Sequence, residues 1–214
     1  LNTRAFVHHG APADCELLAL PPREAGPAIV GGRAQAGIVP VGALGELGRQ
    51  VDLLGDYGIA CAGPSLSVLF FSRVPFDELD GHSRIALTPD SRSSVRLLYL
   101  LLAWRGRAMP TVATAGDTPD GELVIGDAAL RRAPRLAAYP YVIDLAERWH
   151  SLQGLPMVFA RWVIRRDAAP ALRARLLAWL AAYAQAESRL LDGAAAADAG
   201  RAGLAPGVGG GCTI

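Results

Sequence analysis

The sequence predicts an α/β protein of two lobes, with the chain crossing between the lobes twice and a cleft between them. Three observations carry this. Short apolar strands alternate with helical stretches along most of the chain, the pattern of a parallel sheet with crossover helices. Residues 65–72 and 157–165 are both extended and unusually apolar, and the first is apolar enough at its centre to be buried on both faces. Between them lies a segment with strands and helices of its own, as a lobe built between two crossings would have, and a cleft between lobes commonly takes a small molecule. The division is then 1–72 with 163–190 for lobe one and 73–162 for lobe two. Residues 191–214 are Ala/Gly-rich and read as a disordered tail.

Composition narrows the chemistry. The 214 residues are 51% hydrophobic and 19% charged, enough apolar mass for a core that needs neither disulfide nor metal. Arginine plus lysine number 21 against 20 acidic residues, which leaves no field to hold a polyanion and excludes nucleic acid as the main partner. Every basic residue is arginine, so Schiff-base chemistry on lysine and a P-loop lysine are both excluded. Cys15, Cys61 and Cys212 lie far apart without CxxC spacing, which fits a reducing, cytoplasmic setting and argues against structural zinc. The longest apolar run, residues 97–104, is far too short to span a bilayer, so no membrane partner is expected.

Along the chain, residues 5–10 read as one or two helical turns stopped by Gly10 and Pro12. His8 and His9 face different ways on such a turn and have no further ligand at metal spacing, so they read as surface or packing residues. Residues 15–20 read as a strand, followed by a Pro21-Pro22 turn, a helix interrupted by Pro27, and a strand over 36–41 that must end near Pro40. Residues 57–61 form a strand before 65–72, and the polar stretch 77–83 marks a lobe boundary. A strand over 84–87 leads to a helix over 95–104, so uniformly apolar that it is expected to be buried. Strands follow at 110–114 and 122–126. Val142, Leu145, Trp149 and Leu152 make one helical stripe that stops at Gly154. Pro170 opens a last helix with Leu172, Leu176, Leu180 and Tyr183 or Ala184 on one side. The Gly-rich run at 207–211 superficially matches a dinucleotide loop, but no strand precedes it and no helix can follow, so that reading fails.

The candidate site begins where the 84–87 strand ends. Thr88-Pro89-Asp90-Ser91-Arg92-Ser93-Ser94 is a hydroxyl-rich turn into a helix whose first N–H groups have no intrahelical partners and face outward with the positive end of the dipole. Ser91, Ser93 and Ser94 add hydroxyl donors and Arg92 a fixed charge, so a carboxylate or phosphate fits; alternatively Asp90 or Ser91 simply closes its own helix. Gly126 and Asp127 follow a strand directly, at the end where parallel sheets bind ligands. Asp127 either faces the same ligand or caps the helix after it.

Several segments together resemble one family, the chorismate dehydratases of the futalosine route to menaquinone, relatives of type II periplasmic binding proteins. Leu1-Asn2-Thr3-Arg4 is similar to its Tyr-Leu-Asn-Thr-Arg-Pro segment, and Gly37-Ile38-Val39-Pro40-Val41 to its Ala-Leu-Val-Pro-Val strand. Gly63-Pro64-Ser65-Leu66-Ser67-Val68-Leu69-Phe70-Phe71-Ser72 resembles Gly-Pro-Val-x-Ser-Val-x-Leu-Phe-Ser. The serine turn matches Leu-Asp-Thr-Ser-Ser-Arg-Thr-Ser-Val at Leu87, Ser91, Arg92, Ser94 and Val95, with Thr88-Pro89-Asp90 in place of Asp-Thr-Ser. Leu123 to Arg131 resembles Leu-Ile-Gly-Asp-Ala-Ala-Leu, and Asp144-Leu145, Trp149 and residues 154–162 resemble a closing Asp-Leu-x-x-x-Trp and Gly-Leu-Pro-Phe-Val-Phe-Ala-x-Trp.

The resemblance implies a type II periplasmic-binding-protein-like fold with a strand just before Leu1 at the centre of lobe one. It implies a lyase that removes water from chorismate to give 3-[(1-carboxyvinyl)oxy]benzoate, with no metal and no organic cofactor. The substrate is a small dicarboxylate, held by Ser67, Ser91, Arg92, Ser93, Ser94, Gly126 and Asp127, with Asn2 as the catalytic residue. No histidine falls in a matching motif, and the substrate's own side-chain carboxylate serves as the base in the mechanism implied. The same scaffold carries small-anion solute-binding proteins and the 1,4-dihydroxy-6-naphthoate-forming enzyme of the same route, which are the alternative readings.

Overall fold

The computed structural model describes residue 6 and residues 9–132, 138–202 and 212–213. The chain divides into two compact units, Leu1–Ala60 with Val158–Ile214, and Cys61–Met157. It therefore leaves the first unit once and returns once.

Unit one is a sheet with a helical layer on each face. Its strands are β1 (Ala36–Pro40), β2 (Val51–Cys61), β8 (Met157–Arg165) and β9 (Cys212–Thr213), in the order β1-β8-β2-β9. β1 runs antiparallel to β8, with Ile38 opposite Trp162, and Pro40 ends its strand as the missing donor requires. Helix α1 (Pro22–Val30) covers one face, where Ile29 meets Val39, Val51 and Val163. Pro27 does not interrupt α1, because in so short a helix it forfeits a single backbone bond. The Arg165 guanidinium closes the far end by donating to the carbonyls of Ile29 and Val30 at 3.1 and 3.2 Å. Asp167, bonded to that guanidinium, raises the Arg165 pKa.

The other face is covered by α5 (Pro170–Ala202), whose Leu176, Trp179, Leu180 and Tyr183 pack on Leu54, Trp162 and Ile164. Adjacent β8 residues alternate between the two cores, as the strand period demands: Val163 faces α1 while Trp162 and Ile164 face α5. Helix α5 continues to Ala202, through the region expected to be a disordered tail. The run from Ala194 to Ala197 explains it, since alanine is the strongest helix former. Residues 15–20, expected as a strand, are not one: Leu17 and Leu18 are exposed and have no ladder to join. His9 packs against the rings of Trp179 and Tyr183, whereas Asn2 and His8 lie outside the described residues.

Unit two holds a five-stranded sheet ordered β5-β4-β6-β3-β7, formed by β3 (Val68–Ser72), β4 (Arg84–Ala86), β5 (Thr111–Val112), β6 (Gly121–Ile125) and β7 (Tyr141–Asp144). The sheet is mixed rather than all parallel: β4 is parallel to β5 and β6, while β3 is antiparallel to β6 and β7. β3 is buried along its whole length, as its apolar run requires. It lies inside this unit rather than carrying a crossing, and the stretch 77–83 is internal to the unit as well; the chain passes between units at the ends of β2 and β8.

Among the described residues three α-helices complete unit two: α2 (Arg92–Ala103), α3 (Gly126–Arg132) and α4 (Leu145–Gln153). Ala129 of α3 sits with Leu69, Phe71 and Val124 on one face of the sheet. α2 is amphipathic rather than buried all round, with Leu97, Leu98, Leu101 and Leu102 inside and Leu100 and Trp104 exposed. Val142 belongs to β7 and is exposed, so the expected helical stripe begins at Leu145. Among the described residues no helix is long and apolar enough to cross a membrane.

Tyr183 generates a prediction about pH. Its ring is fully buried and its hydroxyl has no hydrogen-bond partner among the described residues; burial, with the charge of Glu187, pushes its pKa up to about 12. The unfolded phenol ionises near 10.0, so the stabilisation from keeping it neutral is complete below that pH and is lost as pH rises toward 12. Two units correspond to about 2–3 kcal/mol. Urea denaturation at pH 9 and 11.5 should show about 2 kcal/mol of this loss in the native chain and its absence in Tyr183→Phe.

Candidate functional site

One end of the unit-two sheet collects the candidate residues, and strand direction is the reason. β4 and β6 run parallel, with Ala86 opposite Glu122, so their carboxyl ends lie together. β3 runs the other way, with Val68 opposite Ile125, which brings its amino end to the same edge. β7 reverses again, with Leu69 opposite Asp144, so its carboxyl end joins them. Ser67, the serine turn, Gly126-Asp127 and Asp144 thus share one edge, and α2, α3 and α4 all begin there. Helix N-termini carry partial positive charge and outward N–H groups, which favours anions at this edge.

The serine turn serves first as a helix cap. Ser91 is extended, and its Oγ accepts the Ser94 N–H at 3.1 Å and lies 2.9 Å from Ser94 Oγ. The two hydroxyls share one proton between them, which leaves one O–H of the pair able to donate elsewhere. Ser93 and Ser94 are buried, whereas Arg92, the first residue of the helix, is exposed. The Asp90 N–H bonds Thr88 Oγ1 at 3.2 Å, and Ser91 rather than Asp90 takes the capping place.

The loop before β3 is held from both sides. Asp144 is buried and accepts the Leu66 N–H at 2.7 Å on Oδ2, and Ser65 Oγ donates to the same carboxylate at 3.1 and 3.2 Å. On Oδ1 it also caps α4, accepting the N–H groups of Ala146 at 2.9 Å and Glu147 at 3.2 Å. Ser65 Oγ in turn accepts the Val68 N–H at 3.1 Å. From the β6 side the Gly126 N–H donates to the Ser67 carbonyl at 2.7 Å. Gly126 has φ +62°, a conformation that favours glycine, and it turns the chain from β6 into α3. Leu66 has φ +59° without being glycine, a conformation costing about 1–3 kcal/mol that persists when its surroundings fix it. Ser67 is half-buried, and Asp127 is exposed in the first turn of α3.

The opposite end of the sheet is closed by its own side chains. Asp80 accepts the His82 N–H at 2.9 Å and bonds Ser83, which holds its carboxyl below the usual range. Asp117 accepts the Thr114 N–H and hydroxyl, both at 2.8 Å, and pairs with Arg84, with the same effect. That end has its carboxylates satisfied locally, and the helix N-termini lie at the other. Among the described residues no group of three or more His, Cys, Asp or Glu could hold a metal ion.

Comparison with known proteins places this architecture. A family model described as menaquinone biosynthesis matches residues 2–203. The chain belongs to the menaquinone biosynthesis family. Over 140 residues it is 32% identical to a chorismate dehydratase from Thermus thermophilus, covering 56% of this chain and 51% of that protein. It thus spans about half the length of that curated relative. A structural-genomics protein from Archaeoglobus fulgidus superposes with a TM-score of 0.59 at 16% identity, over 90% of this chain and 72% of the other. An ABC transporter protein from Parabacteroides distasonis gives 0.54 at 14% identity, over 96% and 76%. At such identities the likeness is one of fold, the type II periplasmic-binding-protein-like arrangement of two α/β units.

Within this family fold, unit two brings together seven of the eight residues singled out from the sequence: Ser67, Ser91, Arg92, Ser93, Ser94, Gly126 and Asp127. The eighth, Asn2, lies outside the described residues. Sequence reasoning missed Ser65, Leu66 and Asp144 as parts of this edge. The available signal was Asp144 preceding a helical run, an N-cap pattern, although nothing local announces its reach back to Leu66.

Because Ser91 caps α2, Ser91→Ala should lower the unfolding free energy by about 1 kcal/mol, while Ser91→Asp restores most of it. Arg92→Ala, at an exposed position, should change it by less than about 0.5 kcal/mol. Equilibrium urea unfolding of the three variants measures both.

Proposed function

We propose that this chain belongs to a chorismate dehydratase: a carbon–oxygen lyase that removes water from chorismate to give 3-[(1-carboxyvinyl)oxy]benzoate, acting in the cytoplasm. The observation that carries the reading is the identity with the Thermus thermophilus enzyme, in a chain of the menaquinone biosynthesis family. The geometry of unit two supports it. Chorismate carries two carboxylates, and the edge where α2 and α3 begin offers backbone N–H groups and the Ser91–Ser94 hydroxyl pair for one of them.

In the proposed reaction a proton leaves one ring carbon and hydroxide leaves its neighbour, so the ring becomes aromatic. The substrate's side-chain carboxylate takes that proton. The protein's part is to hold both carboxylates in the reactive geometry and exclude bulk water. Ser67, Ser93 and Ser94 serve as contacts, with Arg92, Gly126 and Asp127 at the rim, and Asn2 orients the reacting end.

Incubation of the chain with chorismate, followed by mass spectrometry, should show loss of one water and appearance of an aromatic product. Binding of chorismate without that loss would instead identify a small-anion solute-binding protein. Turnover of the naphthoate precursor but not chorismate would identify the other enzyme of the route.

Asn2→Ala tests the catalytic role separately. It should lower kcat by on the order of a hundredfold while KM changes by less than about threefold, the pattern of a group whose interaction strengthens in the transition state. Near-normal kcat in that variant would remove Asn2 from the mechanism.

A further inference from the structure

We infer that Asp144 is a positioning residue for the substrate site: it holds Leu66 in a left-handed turn so that Ser67 is presented at the sheet edge. The inference rests on the dehydratase reading for its substrate, but the geometry belongs to unit two alone.

The Ser65–Val68 loop enters a strand buried along its whole length, so its polar groups must be satisfied at the entry. Asp144 satisfies two of them, the Leu66 N–H at 2.7 Å and the Ser65 hydroxyl at 3.1 Å. Ser65 passes the constraint on by accepting the Val68 N–H. One residue further, the Ser67 carbonyl is held by the Gly126 N–H at 2.7 Å. Ser67 is therefore pinned from β7 on one side and β6 on the other. Between the pins sits Leu66 at φ +59°, 40% exposed, neither glycine nor a buried core residue. A leucine adopts that backbone where its surroundings impose it, and the bond to Asp144 is the one made by its own N–H.

The carboxylate is not placed to act as a base. Its oxygens already accept from Ser65, Leu66, Ala146 and Glu147. A proton taken there would displace one of these donors and disturb the loop or the helix start. Its part is mechanical, acting on the substrate through Ser67.

The substitution that separates this role from general stability is Asp144→Asn. Asparagine caps helices as well as aspartate does, so its oxygen can still serve Ala146 and Glu147. Its amide nitrogen then faces the Leu66 N–H and cannot accept from it, while the Ser65 hydroxyl keeps Oδ1 as its acceptor. Hydrogen exchange should show the Leu66 amide at least tenfold faster, with Ala146 and Glu147 still protected. With chorismate as substrate, KM should rise at least fivefold and kcat change less than twofold.

The double variant Asp144→Asn with Leu66→Gly should recover most of the lost KM, because glycine takes positive φ without being held. Unchanged exchange at Leu66, uniform loss of protection across unit two, or a KM that Leu66→Gly fails to recover would each overturn the inference. Wild-type turnover is the independent control: without it the dehydratase reading fails, and the exchange arm still decides whether Asp144 holds the turn.

Discussion

The second unit depends on one buried carboxylate. Asp144 ends β7, starts α4 and ties down the loop that enters β3, and a carboxyl group in so dry a place is tolerable only because donors surround it. That requirement also fixes register. With Leu69 opposite Asp144, β3 and β7 can pair in the observed phase while the Leu66 N–H reaches the carboxylate. A slip of one residue would turn Phe70 and Phe71 to the opposite faces and carry the Leu66 N–H away from Asp144 in the same step.

The two ends of this sheet are chemically different. At the end where β4 and β6 begin, Asp80 and Asp117 spend their acceptors on backbone turns and on Arg84, and their carboxyls are held low for that reason. At the other end the chain starts three helices within one short edge, and serine hydroxyls stand among their first turns. The N-termini of α2 and α3 at this edge supply partial positive charge without a lysine, while that of α4 is capped by Asp144. On the proposed reading, this is how a chain with nearly balanced charge would hold an anionic substrate.

Much of this was legible in the sequence where a local rule decides the outcome. The uniform apolar run of β3 could be nothing but a buried strand, Pro170 marks the start of α5, and the serine turn reads as a helix entry because hydroxyls cap N–H groups. The failures occurred where long-range pairing decides. Residues 15–20 have strand composition and no partner; Val142 has helical spacing but pairs as an edge strand beside β3; and β3 itself gives no local sign of which unit it joins. Strand direction is illegible for the same reason: the alternation of elements predicts a parallel sheet and does not reveal that β3 runs against β6. At the site the contacts of Ser91 were readable from three-residue spacing, whereas the link from Asp144 to Leu66 spans 78 residues and follows only from the sheet order.

The proposed chemistry suits a site of this kind. Removal of water with aromatisation of the ring needs a proton acceptor near one carbon and a way to keep hydroxide leaving from the next. If the substrate supplies the acceptor, the protein must chiefly prevent its carboxylates from being solvated in unproductive directions. Fixed N–H groups and hydroxyls do that better than a mobile charged side chain, because they are already oriented before the substrate arrives and need no reorganisation as charge shifts. A strained leucine turn held by a buried aspartate belongs to the same economy of means: it commits the backbone around Ser67 to one conformation during folding, so that binding does not have to order it.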